Sequence, residues 1–203
     1  MAGRLAHLVS IVMLAAAVAG CGTTAPSRYY NLDSTAVADG APPERVAIMV
    51  GPVSIPASVD QPQFVVQVAP NRVDVDEFNR WVAPLNDSIA RAVAGDLAVL
   101  LGTSDVAAGP LANFEPAYRV TIAVLRFDSI RGEAAVLEAV WTVHKTAGGE
   151  TRSGRTIARE PVQGQSFEAL AAAHSRALAT MSGDIATAIR AEAAVKPSQA
   201  AAR

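Results

Sequence analysis

Cys21 is the only cysteine in a chain of 203 residues. With no second thiol to meet, its chemistry is not that of a disulfide. It closes the run Val18-Ala19-Gly20-Cys21, where small side chains precede a thiol. Upstream, Arg4 is the only Lys, Arg, Asp or Glu before an apolar stretch, Leu8 to Ala19, broken only by Ser10. A charged start, an apolar middle and a small-residue cleavage site make a secretory signal. A helix over that stretch would span roughly 18 Å, well short of a ~30 Å hydrocarbon core, so it is not a transmembrane anchor. Cleavage before Cys21 removes residues 1–20 and leaves a diacylglyceryl thioether and an acylated, palmitate-type amino terminus. Each buried methylene adds ~0.8 kcal/mol, so several acyl chains hold the chain on a membrane. Residue 22 is Gly, not the Asp that retains such lipoproteins at an inner membrane. The address is therefore the outer membrane, on its periplasmic face.

The other residues capable of chemistry are sparse. Of three histidines, His7 departs with the signal, His144 ends a strand pattern and His174 lies on an apolar helix stripe. Metal binding needs three or four convergent ligands, which this pool does not supply. Asp74, Asp76 and Glu77 cluster, but without the alternate spacing and glycine of a calcium loop. They read as a solvated turn. No GxSxG elbow presents a serine, and Gly148-Gly149 is a hairpin turn with no phosphate-binding helix after it. With 17 basic and 19 acidic residues, the charge is too even for a nucleic-acid partner. The sequence implies no catalysis, no metal and no cofactor.

Contact residues are better represented. The segment from Asp76 to Leu85 contains Phe78, Asn79, Arg80 and Trp81. Phe78, Trp81 and Leu85 recur at three and four, as in the packed start of a helix. Trp and Arg are also enriched among interface hot spots, so a partner surface is the other reading. On the first, Trp81 is buried and Asn79 and Arg80 point outward. Tyr29 and Tyr30 pose the same choice, between an edge strand and an exposed aromatic contact.

Periodicity then places the elements. Residues 21–43 form a lipidated tether, a short strand at Arg28–Leu32 and an Ala/Pro/Gly linker that composition alone makes mobile. A single domain follows over 44–193, with a disordered tail at 194–203. Arg45–Val53 is a strand, bent at Gly51-Pro52. Gln63–Val68 and Val73–Val75 form a hairpin. Asp76–Leu101 reads as one helix, with Pro84 in the first turn of its main part, Gly95 allowing a close approach to the sheet and Gly102 as its stop. Thr103–Pro116 is a loop. Tyr118–Phe127, Ala134–His144 and Thr151–Arg159 form an antiparallel meander whose last strand is an exposed edge. Ser166 caps a final helix to about residue 192, with Phe167, Leu170, His174, Leu178, Met181, Ile185 and Ile189 on its buried stripe. The fold class is α+β, an antiparallel or mixed sheet with two helices packed on one face.

Taken in order, these strings resemble a known family. After the Cys21 motif come Tyr29-Tyr30-x-Leu32, then Val50-Gly51-Pro52-Val53-Ser54-Ile55-Pro56, Asp60-Gln61-Pro62-Gln63 and Asn71-Arg72. Glu77-Phe78-Asn79-Arg80-Trp81-Val82-Ala83-Pro84-Leu85 is the most specific piece. The order is similar to that of the auxiliary lipoproteins of ABC-type transport systems, the family that includes paraquat-inducible protein C. It departs at Ala57-Ser58-Val59-Asp60, where members often carry Tyr-Leu-Asp, and at Gln61, often Arg. The resemblance implies a non-enzymatic, lipid-anchored component of an MCE-type lipid-transport system. Its partners would be the outer membrane, an MCE-domain protein and, as a further option, copies of itself. Tyr29, Tyr30, Asn79, Arg80 and Trp81 would form the candidate partner surface. The alternative is a general envelope-assembly or scaffold lipoprotein that stabilises an outer-membrane complex.

Overall fold

The computed structural model describes residues 25–149 and 151–194. The signal over 1–20, the Cys21 acceptor and the tail from 195 onward lie outside them. The elements are β1 (Arg28–Tyr30), β2 (Ile48–Ser54), β3 (Gln63–Ala69), β4 (Arg72–Trp81), α1 (Leu85–Leu101), β5 (Val106–Ala108), β6 (Tyr118–Ile130), β7 (Ala134–Lys145), β8 (Thr151–Pro161) and α2 (Phe167–Ala194). All eight strands join one mixed sheet, so the fold is α+β as the patterning implies.

Strand β6 is its spine. It pairs with β7 along its length, with β2 over its first half and with β3 near its end. Short β1 and β5 extend the sheet in parallel beyond β4 and β2. The meander β6–β7–β8 is antiparallel, and among the described residues β8 is an edge paired only with β7. Both helices cover the same face. Helix α1 packs on β2 and β5, α2 on β7 and β8, and each on the other. One apolar core lies between them and the sheet.

Sequence alternation fails at one instructive point in β6. Val120, Ile122 and Val124 face the core, and strict alternation would send Phe127 to the opposite face. A bulge between Val124 and Arg126 leaves Leu125 without a partner on β7 and exposed. One extra residue reverses the parity. Phe127 therefore returns to the core, opposite Leu137.

Residues 76–81 are strand, not helix. The run cannot extend α1 upstream because Pro84 disfavours the α region in the residue before it. Pro84 sits at the N-cap with φ −49° and ψ 133°, and Gly102 closes α1 with a left-handed φ of 61°. Ser166 caps α2 as its chemistry implies, accepting a hydrogen bond from the Ala169 N–H at 3.1 Å. Residues 106–108, read as loop from the sequence, form β5 because β2 offers them a free edge.

The Ala/Pro/Gly stretch after β1 is strapped across the helices, not loose. Asp96, within α1, is wholly buried. Its Oδ1 accepts hydrogen bonds from the Ser34 hydroxyl (2.8 Å), the Thr35 N–H (2.9 Å) and the Ala36 N–H (3.0 Å). Its Oδ2 accepts from the Ser182 hydroxyl of α2 at 3.1 Å. Farther along, Arg190 donates to Asp39 at 2.7 Å and holds its carboxyl below the usual range. The Glu44 N–H reaches the Leu101 carbonyl at 2.8 Å. Gly95 permits this crossing, since a Cβ there would lie 2.8 Å from Ser34 Cβ. The close approach is to the strap and not, as the sequence suggests, to the sheet.

Replacing Asp96 with Ala leaves a hole in the core and takes the acceptor from Ser34, Thr35 and Ala36, while Ser182 keeps the Leu178 carbonyl. The expected loss is about 3 kcal/mol or more in chemical denaturation, with new protease cleavage in residues 33–43. Unchanged stability would show that the strap is held by something else.

Candidate functional site

The five sequence-nominated contact residues converge. Strands β1 and β4 pair in parallel with Arg28 opposite Asn79, Tyr29 opposite Arg80 and Tyr30 opposite Trp81. Residues 49 or more apart in sequence thus form one corner of the sheet. Their roles there differ.

Trp81 is core, only 5% exposed. Its ring stacks on Phe64 at 4.0 Å and meets Phe127 edge-on at 6.1 Å. Tyr30 meets Phe64 edge-on at 5.4 Å, and Phe64 meets Phe167 at 5.2 Å. Such pairs add about 0.5–1.5 kcal/mol each beyond their buried area. Backbone bonds lock the corner further, from the Trp81 N–H to the Pro62 carbonyl (2.7 Å) and from the Val82 N–H to the Tyr30 carbonyl (2.9 Å).

Asn79 is occupied internally. It accepts from the Tyr30 hydroxyl at 2.7 Å and donates to Asp76 Oδ1 at 2.8 Å. Asp76 also accepts from the backbone N–H groups of Phe78 and Asn79. Burial pushes the Asp76 carboxyl up, yet these donors together hold it below its ordinary value. The turn they build explains a break in the β3–β4 ladder, where Phe64 faces Asp76 but Gln63 faces Arg80. Residues 77–79 bulge outward, and Phe78 is 40% exposed. Phe78 is therefore not the first member of a buried stripe with Trp81.

Tyr29 and Arg80 are the outward pair. Tyr29 is 62% exposed, and half-buried Arg80 donates through Nε to the Glu77 carbonyl at 3.0 Å. Among the described residues β1 pairs only with β4, so its outer edge is open. Beside it a groove of about 570 Å³ runs between β1, the start of the strap and the first turns of α2. A second hollow, about 330 Å³, lies over Pro62, Trp81, Pro84 and Leu85.

Among the described residues no group of three or more His, Cys, Asp or Glu side chains could hold a metal ion. Ser129 and His174 do meet, with Oγ and Nε2 2.8 Å apart. Both are buried, the imidazole stacks on Phe127 at 3.8 Å, and its Nδ1 has no partner. A serine base needs an orienting carboxylate and an open approach. This pair has neither and serves packing.

A sequence profile of the ABC-type transport auxiliary lipoprotein components matches residues 30–186. The chain belongs to that family. The match begins at Tyr30 and encloses Asn79, Arg80 and Trp81, so the packed corner lies within the family's common body. Among the curated proteins none matches the sequence. Two solved structures are similar in fold. A crystal structure of an uncharacterized protein aligns with a TM-score of 0.67 at 19% identity, covering 81% of this chain and 99% of that one. Protein XCC0632 from Xanthomonas campestris, of the DUF330 family, aligns at 0.67 and 18% identity, covering 82% and 97%. As a member of this family the chain is a lipoprotein component auxiliary to transport. No helix of its described residues is long and apolar enough to cross a membrane.

Two measurements follow from the packing. Trp81→Ala empties the middle of an aromatic stack and is expected to cost about 3–5 kcal/mol in denaturant unfolding; a loss below 1 kcal/mol would remove Trp81 from the core. Burial holds His174 neutral, its pKa lowered from 6.5 to about 3. Between those values the unfolded chain binds a proton that the fold excludes. Stability is thus full above pH 6.5 and falls toward pH 3, by up to about 1.4 kcal/mol per pH unit. Asp39 and Asp76, both lowered, lose their contribution only as pH falls below 3.8. Urea titrations from pH 7 to 4 should show the loss, and His174→Leu should flatten it.

Proposed function

We propose that this auxiliary lipoprotein acts without catalysis in an MCE-type intermembrane lipid-transport system. Acylated Cys21 holds it to the periplasmic face of the outer membrane, and the β1 edge receives the MCE-domain partner. The carrying observation is the open edge of β1 beside its groove, with Tyr29 exposed above a rigid corner. An extended partner segment can continue the sheet there through backbone hydrogen bonds, while side chains settle in the groove. Trp81, Tyr30 and Asn79 hold the edge in shape; Tyr29 and Arg80 make the contact. Anchoring restricts the protein to a thin layer, which raises its effective concentration for a partner reaching the same membrane.

The test is a pull-down of the MCE-domain protein by wild type and by a Tyr29→Ala/Arg80→Ala double variant. Tyr29 is exposed and Arg80 half-buried, with neither in the core, so stability should stay within about 1 kcal/mol for the pair. Binding should fall at least tenfold. A variant that binds as well as wild type would remove the edge from the interface. Recovery of outer-membrane assembly proteins in place of the MCE-domain protein would favour the envelope-assembly alternative. In the same cells, labelled palmitate should enter the wild type and not Cys21→Ala.

A further inference from the structure

The fold grips its chain from Arg28 onward. Strand β1 is paired to β4, and the strap behind it is fastened at Asp96. A tether that composition would extend to residue 43 is thus no longer than the seven steps from Cys21 to Arg28. Fully extended, seven residues reach about 23–25 Å. Because β1 runs parallel to β4, the chain preceding Arg28 leaves toward the Arg72 end of β4. From Asn79 back to Arg72 is also seven residues, no more than roughly 23 Å of strand. The lipid on Cys21 and the tip of the β3–β4 hairpin can therefore reach the same plane.

That tip has unusual composition for a hairpin surrounded by water. Strand β3 continues two residues past its last pairing with β6, Gln67 opposite Ile130. Val68 lies beyond it, Val73 stands opposite Gln67 and Val75 opposite Val65, and all three are exposed. Val68 is 42% exposed, Val73 55% and Val75 44%. Pro70 and Asn71 make the turn, and Arg72 is the only charge at the end. Asp74, Asp76 and Glu77 lie farther up the strand. A projecting edge with exposed valines invites aggregation in solution. At a lipid interface the valines enter the acyl boundary, and a long basic side chain can lay its stem over them with its head among the phosphates. The turn at the other end of the sheet, Thr146–Gly149, offers no large apolar side chain.

We propose that the β3–β4 tip is a second membrane contact, Val68 and Val73 entering the same phospholipid leaflet that holds the Cys21 lipid. The inference rests on the lipid-anchor reading. Together the two contacts stand the domain upright, with the β7–β8 turn farthest from the membrane.

The full-length lipidated protein tests this, because acylation consumes the Cys21 thiol and leaves an introduced cysteine as the only free one. Val73→Cys, and separately Ala147→Cys, would carry a nitrobenzoxadiazole label. Each would be reconstituted in phosphatidylethanolamine–phosphatidylglycerol vesicles containing nitroxide lipids. Mass spectrometry of the amino-terminal peptide reports whether Cys21 carries lipid. The expected result is blue-shifted emission at 73 and quenching severalfold stronger there than at 147. Equal quenching at the two positions, or stronger quenching at 147, with Cys21 lipidated overturns the hairpin contact and leaves the anchor standing. An unmodified Cys21 brings down the anchor, and the hairpin contact with it.

Discussion

A carboxylate sealed away from water must find donors or be expelled, and Asp96 finds four. Three come from the strap and one from α2, while the aspartate itself belongs to α1. Three segments far apart in sequence are thereby tied at one point. Removing any one leaves charge or donors unpaired inside the protein, where the penalty greatly exceeds the worth of a surface contact. The relative placement of the helices, the path of the strap and the position of β1 all depend on this satisfaction. Gly95 belongs to the same device, because a side chain there would push the strap off its acceptor.

From that knot the aromatic corner takes its rigidity. With β1 held behind by the strap, Tyr30 can pack against Phe64, and its hydroxyl meets Asn79. Asn79 in turn fixes Asp76, and the bulge they form aims Trp81 inward. The region richest in family signature is therefore mostly architecture. Its aromatic residues build a platform, and the exposed Tyr29 and partly exposed Arg80 stand at its border. The contrast fits an interface in which a few accessible side chains rely on a stiff support.

How much the sequence disclosed follows from the range of the forces involved. The α2 stripe from Phe167 to Ile189 and the β6–β8 meander were legible because helix and strand periods are local. Gly102 and the Ser166 cap were legible for the same reason. The segment 76–81 misled because Phe78, Trp81 and Leu85 fall by accident at helical spacing, while the deciding contacts come from Tyr30 and Pro62. Leu125 hid a bulge, since nothing in alternating residues announces one unpaired position. Asp96 belongs to no local pattern that marks it, and only the strap makes it a core residue. The five candidate residues lie together where β1 pairs with β4. Their division into support and surface needed the parallel pairing of β1 with β4, which no short window of sequence contains.

The parallel orientation of that pair also has a mechanical side. A pull arriving through residues 25–27 acts along the axis of β1 and away from the strap. It loads the β1–β4 hydrogen bonds in shear, all together, and does not peel them one at a time. Should they slip, the tension passes to the bonds at Asp96, where strap and both helices share it. A three-residue strand thus works as the outer jaw of a clamp, letting the domain be tugged from its amino-terminal end while the sheet behind it keeps its shape.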